Sequence, residues 1–267
     1  MNFSDNDKKE LQVAKNLLEN LSLAARMTSF IGTPIEKGLE LLPDGWSSNI
    51  GAITQTALLK ASDAVAYTMN DIPGEESSNT WHKLGAAVSG GVGGLFGVSA
   101  IAIELPISTT IMLRSITDIA RSEGESISSI ETKMACLEVF ALGGRSESDD
   151  GMETSYFAVR TALARSITET AEFIAKKGLT DEAAPMLAKL IVKIANRFGI
   201  QVSQKMAAQA IPAIGAAGGA TINALFIDHF QDMARGHFIV RKLERTYGEE
   251  NVRNLYESLP DATLKSY

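Results

Sequence analysis

Apolar positions recur every three or four residues along most of this chain, and two-residue alternation is scarce, so the pattern predicts helices throughout. Ser4 caps a first helix in which Leu11, Ala14, Leu18, Leu21 and Ala25 form one stripe, and Gly32 ends it. Thr33-Pro34 reads as an N-cap with proline at the first helical position, opening a short helix to about Leu42. Ser48 to Met69 is expected as a helix presenting Ile53, Ala57, Leu58, Ala61 and Ala64 on one face. Asn70 to Asn79, around Pro73-Gly74-Glu75-Glu76, is a linker.

The periodicity then changes character. Leu84 to Ile103 is twenty uncharged residues with six glycines, running into Glu104-Leu105-Pro106. Met206 to Ile227 is a second uncharged stretch, with Gly215, Gly218 and Gly219, and ends in Asp228-His229. Both match a bilayer span in length, but alanine, glycine and serine replace most of the leucine. Small residues four apart (Gly90/Gly94, Gly93/Gly97, Gly215/Gly219) let helix backbones approach closely. A soluble helix loses about 1 kcal/mol per internal glycine relative to alanine, so close packing or lipid must offset them. Trp46, Tyr67 and Trp81, which flank these segments, suit an interfacial belt and a core equally.

Pro106 predicts a break or kink between residues 84–103 and a helix over 107–121. A further helix is expected over 126–142, ended by Gly143-Gly144, and the polar run 145–151 is the most exposed segment. Helices follow at 152–177, 181–198, 200–216 and 217–246, with Gly178, Gly199 and Gly215 at the breaks and a kink at Pro212.

Composition narrows the function classes. The 267 residues suffice for a large core, and a net charge of −7 disfavours nucleic-acid binding. Mean hydropathy is +0.03, far below that of a polytopic membrane protein. The single cysteine, Cys136, excludes an internal disulfide and paired-cysteine zinc, and its apolar surroundings read as a buried thiol. The first residues lack the basic and apolar regions of a signal peptide, which points to the cytoplasm or to the inner face of the cytoplasmic membrane.

The richest polar cluster is Asn223, Asp228, His229, Asp232 and His237. Asp228 and Asp232 share one helix face, and with Glu104, Asp118 and His237 they are the metal-ligand candidates. The alternative is that the acids pair with Arg114, Arg121, Arg160, Arg235 and Arg241 between helices. A semi-buried Glu104–Arg114–Asp118 network, extended by Glu138 and Asn223, would be functional or a specificity device. No His-Glu-x-x-His, nucleotide-binding loop or hydrolase elbow is present.

Three runs carry a resemblance: Glu104 to Glu125 (ELPISTTIMLRSITDIARSEGE), Cys136 to Gly144 (CLEVFALGG), and Ala210 to Phe226 (AIPAIGAAGGATINALF) continued by Phe230 to His237 and Phe238 (FQDMARGHF). They resemble the bacterial EcsC family, named for a protein encoded beside an ABC transporter. The similarity covers about residues 20–247, leaving 1–19 as the start of the N-terminal helix and 248–267 as a C-terminal tail. The resemblance implies an association with membrane or transport processes and transfers no catalytic residues.

The expectation is an all-α protein, a single bundle of eight to ten helices with two glycine/alanine-rich central elements. Its expected function is that of a membrane-associated or membrane-peripheral binding or accessory protein. It would engage a lipid, a hydrophobic peptide or a membrane transport partner through Gly90, Gly93, Gly94, Gly97, Pro106, Gly215 and Gly219. A metal-dependent hydrolase and a pore-forming bundle are the alternatives.

Overall fold

Capping residues start the helices where the apolar stripes begin. In the computed structural model, which describes residues 3–19, 22–65, 101–143, 156–177, 184–211 and 215–261, the Ser4 hydroxyl accepts from the Asp7 amide at 3.1 Å and opens α1, Asp5–Leu18. Asp5 and Asp7 in its first turn favour the helix dipole. The stripe does not continue into one long helix. Ser22 caps a new one, α2 (Leu23–Ile31), by accepting from the Ala25 amide at 3.3 Å, and Gly32 closes it at φ 71°. Side-chain capping at Ser22 thus overrides the apolar periodicity. α3 (Ile35–Leu39) has Pro34, not Thr33, as its N-cap; the Ile35 amide donates to Thr28 Oγ1 at 3.3 Å instead.

α4 (Trp46–Val65) buries Ala57, Leu58 and Ala61 against α5 (Ile101–Ser122) and α8 (Ala184–Ala210). α6 (Ile130–Glu138) begins at the Ser129 cap and runs into a 3-10 turn, Val139–Ala141. α7 is Tyr156–Lys177, α9 is Gly215–Tyr247 and α10 is Glu249–Ser258. Among the described residues there are ten α-helices and no strand, so the protein is an all-α bundle.

Two positions expected to interrupt helices, Pro106 by a break or kink and Gly199 by a break, lie inside continuous ones. α5 continues through Pro106, and α8 continues through Gly199. A proline inside a helix costs about 3 kcal/mol. Burial of Ile101, Leu105, Met112 and Leu113 on α5 outweighs that cost, each contributing about 1.5–3 kcal/mol. Gly199 stays helical because α4 lies over it, with Ile50 and Thr54 as neighbours.

α8 and α9 form the centre, touching each other and most of the other helices. Their aromatic residues interlock with the 3-10 turn: Phe140 stands 4.9 Å from Phe198 and 5.3 Å from Phe230 between ring centroids, and Phe226 lies 5.2 Å from Phe230. The glycine-permitted contacts lie elsewhere. α3 crosses α8 where a Cβ on Gly38 would sit 2.1 Å from the Ala207 carbonyl oxygen. α1 crosses α9 at Gly236, where a Cβ would sit 2.6 Å from Leu18 Cγ. α9 begins with the second glycine/alanine-rich stretch, in which Gly218 and Gly219 are buried. Gly90, Gly93, Gly94 and Gly97, the 70–79 linker, the polar run 145–151 and Pro212 lie outside the described residues.

The segment expected as a C-terminal tail begins with a docked helix. α10 buries Val252 and Tyr256, and beyond it Lys15 Nζ donates to the Leu259 carbonyl at 2.7 Å.

Candidate functional site

An open cleft of about 770 Å³ lies between α6, α7, α9 and α10. α7 supplies one wall through Phe157, Thr161, Ala164, Thr168, Ala171 and Ala175, spaced alternately four and three residues apart, so they line one helix face. Thr161, Ala164, Thr168 and Ala175 are exposed on that face. Across from it stand Glu131, Ala135 and Glu138 of α6 and Arg241 and Glu244 of α9. Glu249, Glu250 and Arg253 of α10 close one end.

The floor is polar and tightly organised. Arg160 of α7 holds Glu244 through two bonds, at 2.6 and 3.0 Å, and lies over the rings of Tyr156 and Phe157 at 5.4 and 5.8 Å. Arg241 donates to Glu125 at 2.9 Å, which also accepts from Arg245 and from Thr132 at 3.0 Å. Burial opposes ionisation of Glu125, but these arginine contacts outweigh it and hold the carboxyl below its usual range.

Glu138 differs from these acids. It ends α6, retains 5% exposure and lines the cleft, yet no hydrogen bond reaches its carboxyl among the described residues. His237 Nε2 stands 3.7 Å from its Oε2. Burial pushes Glu138 up to about 7, against the pull of Arg160 and Arg241. Burial also holds His237 well below its usual value, helped by the same two arginines, and raises Tyr156. At neutral pH His237 is therefore neutral and Tyr156 keeps its proton. The phenol and His237 Nδ1 share a hydrogen bond at 2.9 Å, and the other ring nitrogen, Nε2, faces Glu138. The result is a carboxyl that titrates near neutrality at the floor of an open cleft.

The other site residues read from the sequence go to separate places. Glu104 pairs with Lys205 of α8 at 2.8 Å, and Lys205 is fully buried, 5.0 Å above the Phe226 ring. Asp118 pairs with Arg121 at 2.6 Å within α5. Arg114, expected to bridge Glu104 and Asp118, is exposed, and those two acids pair with Lys205 and Arg121 instead. Asn223 is fully buried on α9, and Asp228 is half-buried on the same helix. Asp232 accepts from Arg26 of α2 at 2.8 Å. Among the described residues no three His, Cys, Asp or Glu side chains stand close enough together to hold a metal. Of the arginines considered as helix–helix partners, Arg160 takes that role, joining α7 to Glu244 of α9; Arg241 of α9 pairs with Glu125 in the connection between α5 and α6, Arg121 pairs within α5, and Arg235 is exposed.

Tyr156 and Lys205 were not legible as site residues. Lys205, a lone cation beside Met206-Ala207-Ala208, carried the only signal. Tyr156 carried none, since its partner lies 81 positions away.

None of the described helices is long and apolar enough to cross a membrane. No curated protein and no solved structure matches the chain. One family model does match, that of the EcsC protein family, over residues 5–243. That span takes in α1 to α8 and nearly all of α9, and with it the cleft walls of α6 and α7 and the Arg241 floor. The chain belongs to the EcsC protein family.

Proposed function

We propose that this protein is a helical binding protein, an accessory at a membrane surface or to a membrane transport partner, and that it holds its ligand in the cleft between α6, α7, α9 and α10. The observation that carries this reading is the cleft itself: about 770 Å³, open, with a wall of small and apolar side chains over a polar floor. Ligand sites combine these features, an apolar lining with a few placed polar groups. Glu138, His237 and Tyr156 are buried groups of the kind that orient a ligand, and the arginines around them are already matched by carboxylates. The exposed apolar residues Phe30, Leu39 and Leu41, close together in the chain around α3, favour a peripheral membrane contact for the same molecule.

A single-site fluorescent reporter tests it. Cys136 is buried and its thiol pushed up to about 12, so in the native protein a dye attaches only to an introduced cysteine. Glu172→Cys places that dye at the cleft rim, at an exposed position. The reporter should respond to an amphipathic helical peptide or to phospholipid vesicles, and Ala164→Trp, which fills the cleft, should abolish the response. A reporter that answers neither probe overturns the cleft as the binding site.

A further inference from the structure

We propose that the cleft is the docking groove for a basic amphipathic helix of a partner protein, with Glu138 as the anchor for one of its lysine or arginine side chains. The proposal rests on the cleft being the binding site and names its occupant.

The α7 wall has the geometry of a helix seam. Phe157, Thr161, Ala164, Thr168, Ala171 and Ala175 repeat at the four–three spacing by which one helix receives the side chains of another. The stripe is about 27 Å long at the helical rise. Its alanines and threonines leave room for the larger side chains of an incoming helix.

Charge decides what that helix carries. Six glutamates line the cleft, at 131, 138, 172, 244, 249 and 250, against Arg160, Arg241 and Arg253. Each arginine is already committed, to Glu244, Glu125 and Glu257 respectively. Glu131, Glu249 and Glu250 stand exposed at the rim, so the entrance is acidic and attracts a cation. At the floor Glu138 is 95% out of solvent and, among the described residues, without a hydrogen bond, with neutral His237 Nε2 3.7 Å from its Oε2. A buried carboxyl in that position is stabilised by an arriving ammonium or guanidinium. An acyl chain would leave Glu138 unmatched, and an anionic lipid headgroup would meet the acidic rim.

Docking a cation there has a proton signature. The charges that act on Glu138 come from Arg160 of α7 and from Arg241 and Glu244 of α9; Tyr156 and His237, its other polar neighbours, are neutral. Because Glu138 is poised near neutrality, a bound cation expels its residual proton, about half a proton per complex at pH 7.

The test uses the full chain with the Glu172→Cys reporter and three helical peptides of about 20 residues. They share one leucine/alanine seam and differ only in whether the flanking positions carry lysine, glutamine or glutamate. The lysine peptide should bind on the order of tenfold or more tighter than the glutamine peptide. Calorimetry at pH 7 in phosphate and in Tris should reveal the released proton. Glu138→Gln should lose both the lysine preference and the proton release while still binding the glutamine peptide. A circular dichroism spectrum and a urea midpoint at least equal to those of the wild type show that the variant is folded. Equal affinities for the three peptides, or an unchanged preference in Glu138→Gln, overturn the anchor while leaving the cleft reading intact. A response to vesicles of phosphatidylethanolamine and phosphatidylglycerol but to no peptide overturns the helix in favour of lipid. A response to none of these probes removes the cleft reading as well.

Discussion

His237 stands between Tyr156 and Glu138, sharing a hydrogen bond with the phenol at Nδ1 and presenting Nε2 to the carboxyl at 3.7 Å. Both histidine nitrogens are thus directed without the ring being charged. The unfolded chain ionises Glu138 from about 4.5, whereas the folded protein keeps that proton up to about 7. Between those values the folded state binds more protons, so this group's contribution to stability falls as pH rises. Glu138→Gln removes that fall. The urea stabilities of variant and wild type should differ little at pH 4 and separate by about 3 kcal/mol in favour of the variant at pH 8. Parallel curves across that range would sink the assignment.

His229 acts in the opposite sense. Burial, assisted by the charge of Arg26, lowers it to about 3, and neither ring nitrogen has a hydrogen-bond partner among the described residues. The unfolded chain takes up a proton below about 6.5 that the folded protein refuses, so stability is lost as pH falls through that value. His229→Leu should relieve about 2 kcal/mol of the loss at pH 5 and leave the stability at pH 8 nearly as it was. Stability measured by urea at the two pH values checks both halves of the expectation.

Lys205 and Glu104 join α8 to α5 through a buried ion pair. Lys205→Met leaves the carboxylate without its partner and should cost about 3–5 kcal/mol. The double variant Lys205→Met/Glu104→Leu should recover most of that loss, because burying two apolar groups replaces burying two charges. Additive losses in a double-mutant cycle would show that the two residues do not work as a pair.

Three helical glycines should respond differently to alanine. At Gly38 the new methyl meets the Ala207 carbonyl oxygen at 2.1 Å, and at Gly236 it meets Leu18 Cγ at 2.6 Å and the Ala14 carbonyl oxygen at 3.0 Å. Both substitutions should destabilise by about 1–3 kcal/mol, Gly236→Ala by loosening α1 from α9. At Gly199 the nearest atom is 3.6 Å away, an ordinary contact. Gly199→Ala should therefore stabilise by about 0.5–1 kcal/mol, the helix-propensity difference. Thermal or urea midpoints of the three variants read the contrast directly.

Cys136 is 2% exposed, with its thiol pushed up to about 12 by burial. A disulfide reagent at pH 8 should react with it only after denaturant is added. Prompt reaction of the native protein would mean that α6 opens readily from the core.

Much of the helical framework was legible because its causes are local. Ser4 and Gly32 act on backbone groups within four residues, and the Ala57-Leu58-Ala61 face is set by the 3.6-residue period, whereas the helix expected from Ser126 starts only at Ile130, behind its Ser129 cap. The all-α class and the family were legible for the same reason, from periodicity and from contiguous runs. Where tertiary packing competes with a local signal, the sequence misleads. Pro106 read as a break or kink and Gly199 as a break, but neighbouring helices hold both within continuous helices. Gly38 and Gly236 looked unremarkable beside the glycine-rich stretches, yet they mark two of the closest backbone approaches among the described residues.

The candidate site shows the same division more sharply. Glu104, Asp118, Asp232 and His237 were recognisable as costly residues in apolar surroundings, since burial of a charge demands a partner wherever the partner lies. Which partner each takes depends on elements far apart in the chain. Lys205 is 101 residues from Glu104, and Arg26 is 206 residues from Asp232. The sequence by itself determined that this chain makes a helical bundle and must satisfy buried acids and imidazoles. Only the tertiary structure decided that Glu104, Asp118 and Asp232 are met in separate pairs and that Glu138 lines an open cleft beside His237, because helix packing, not spacing along the chain, sets which side chains meet.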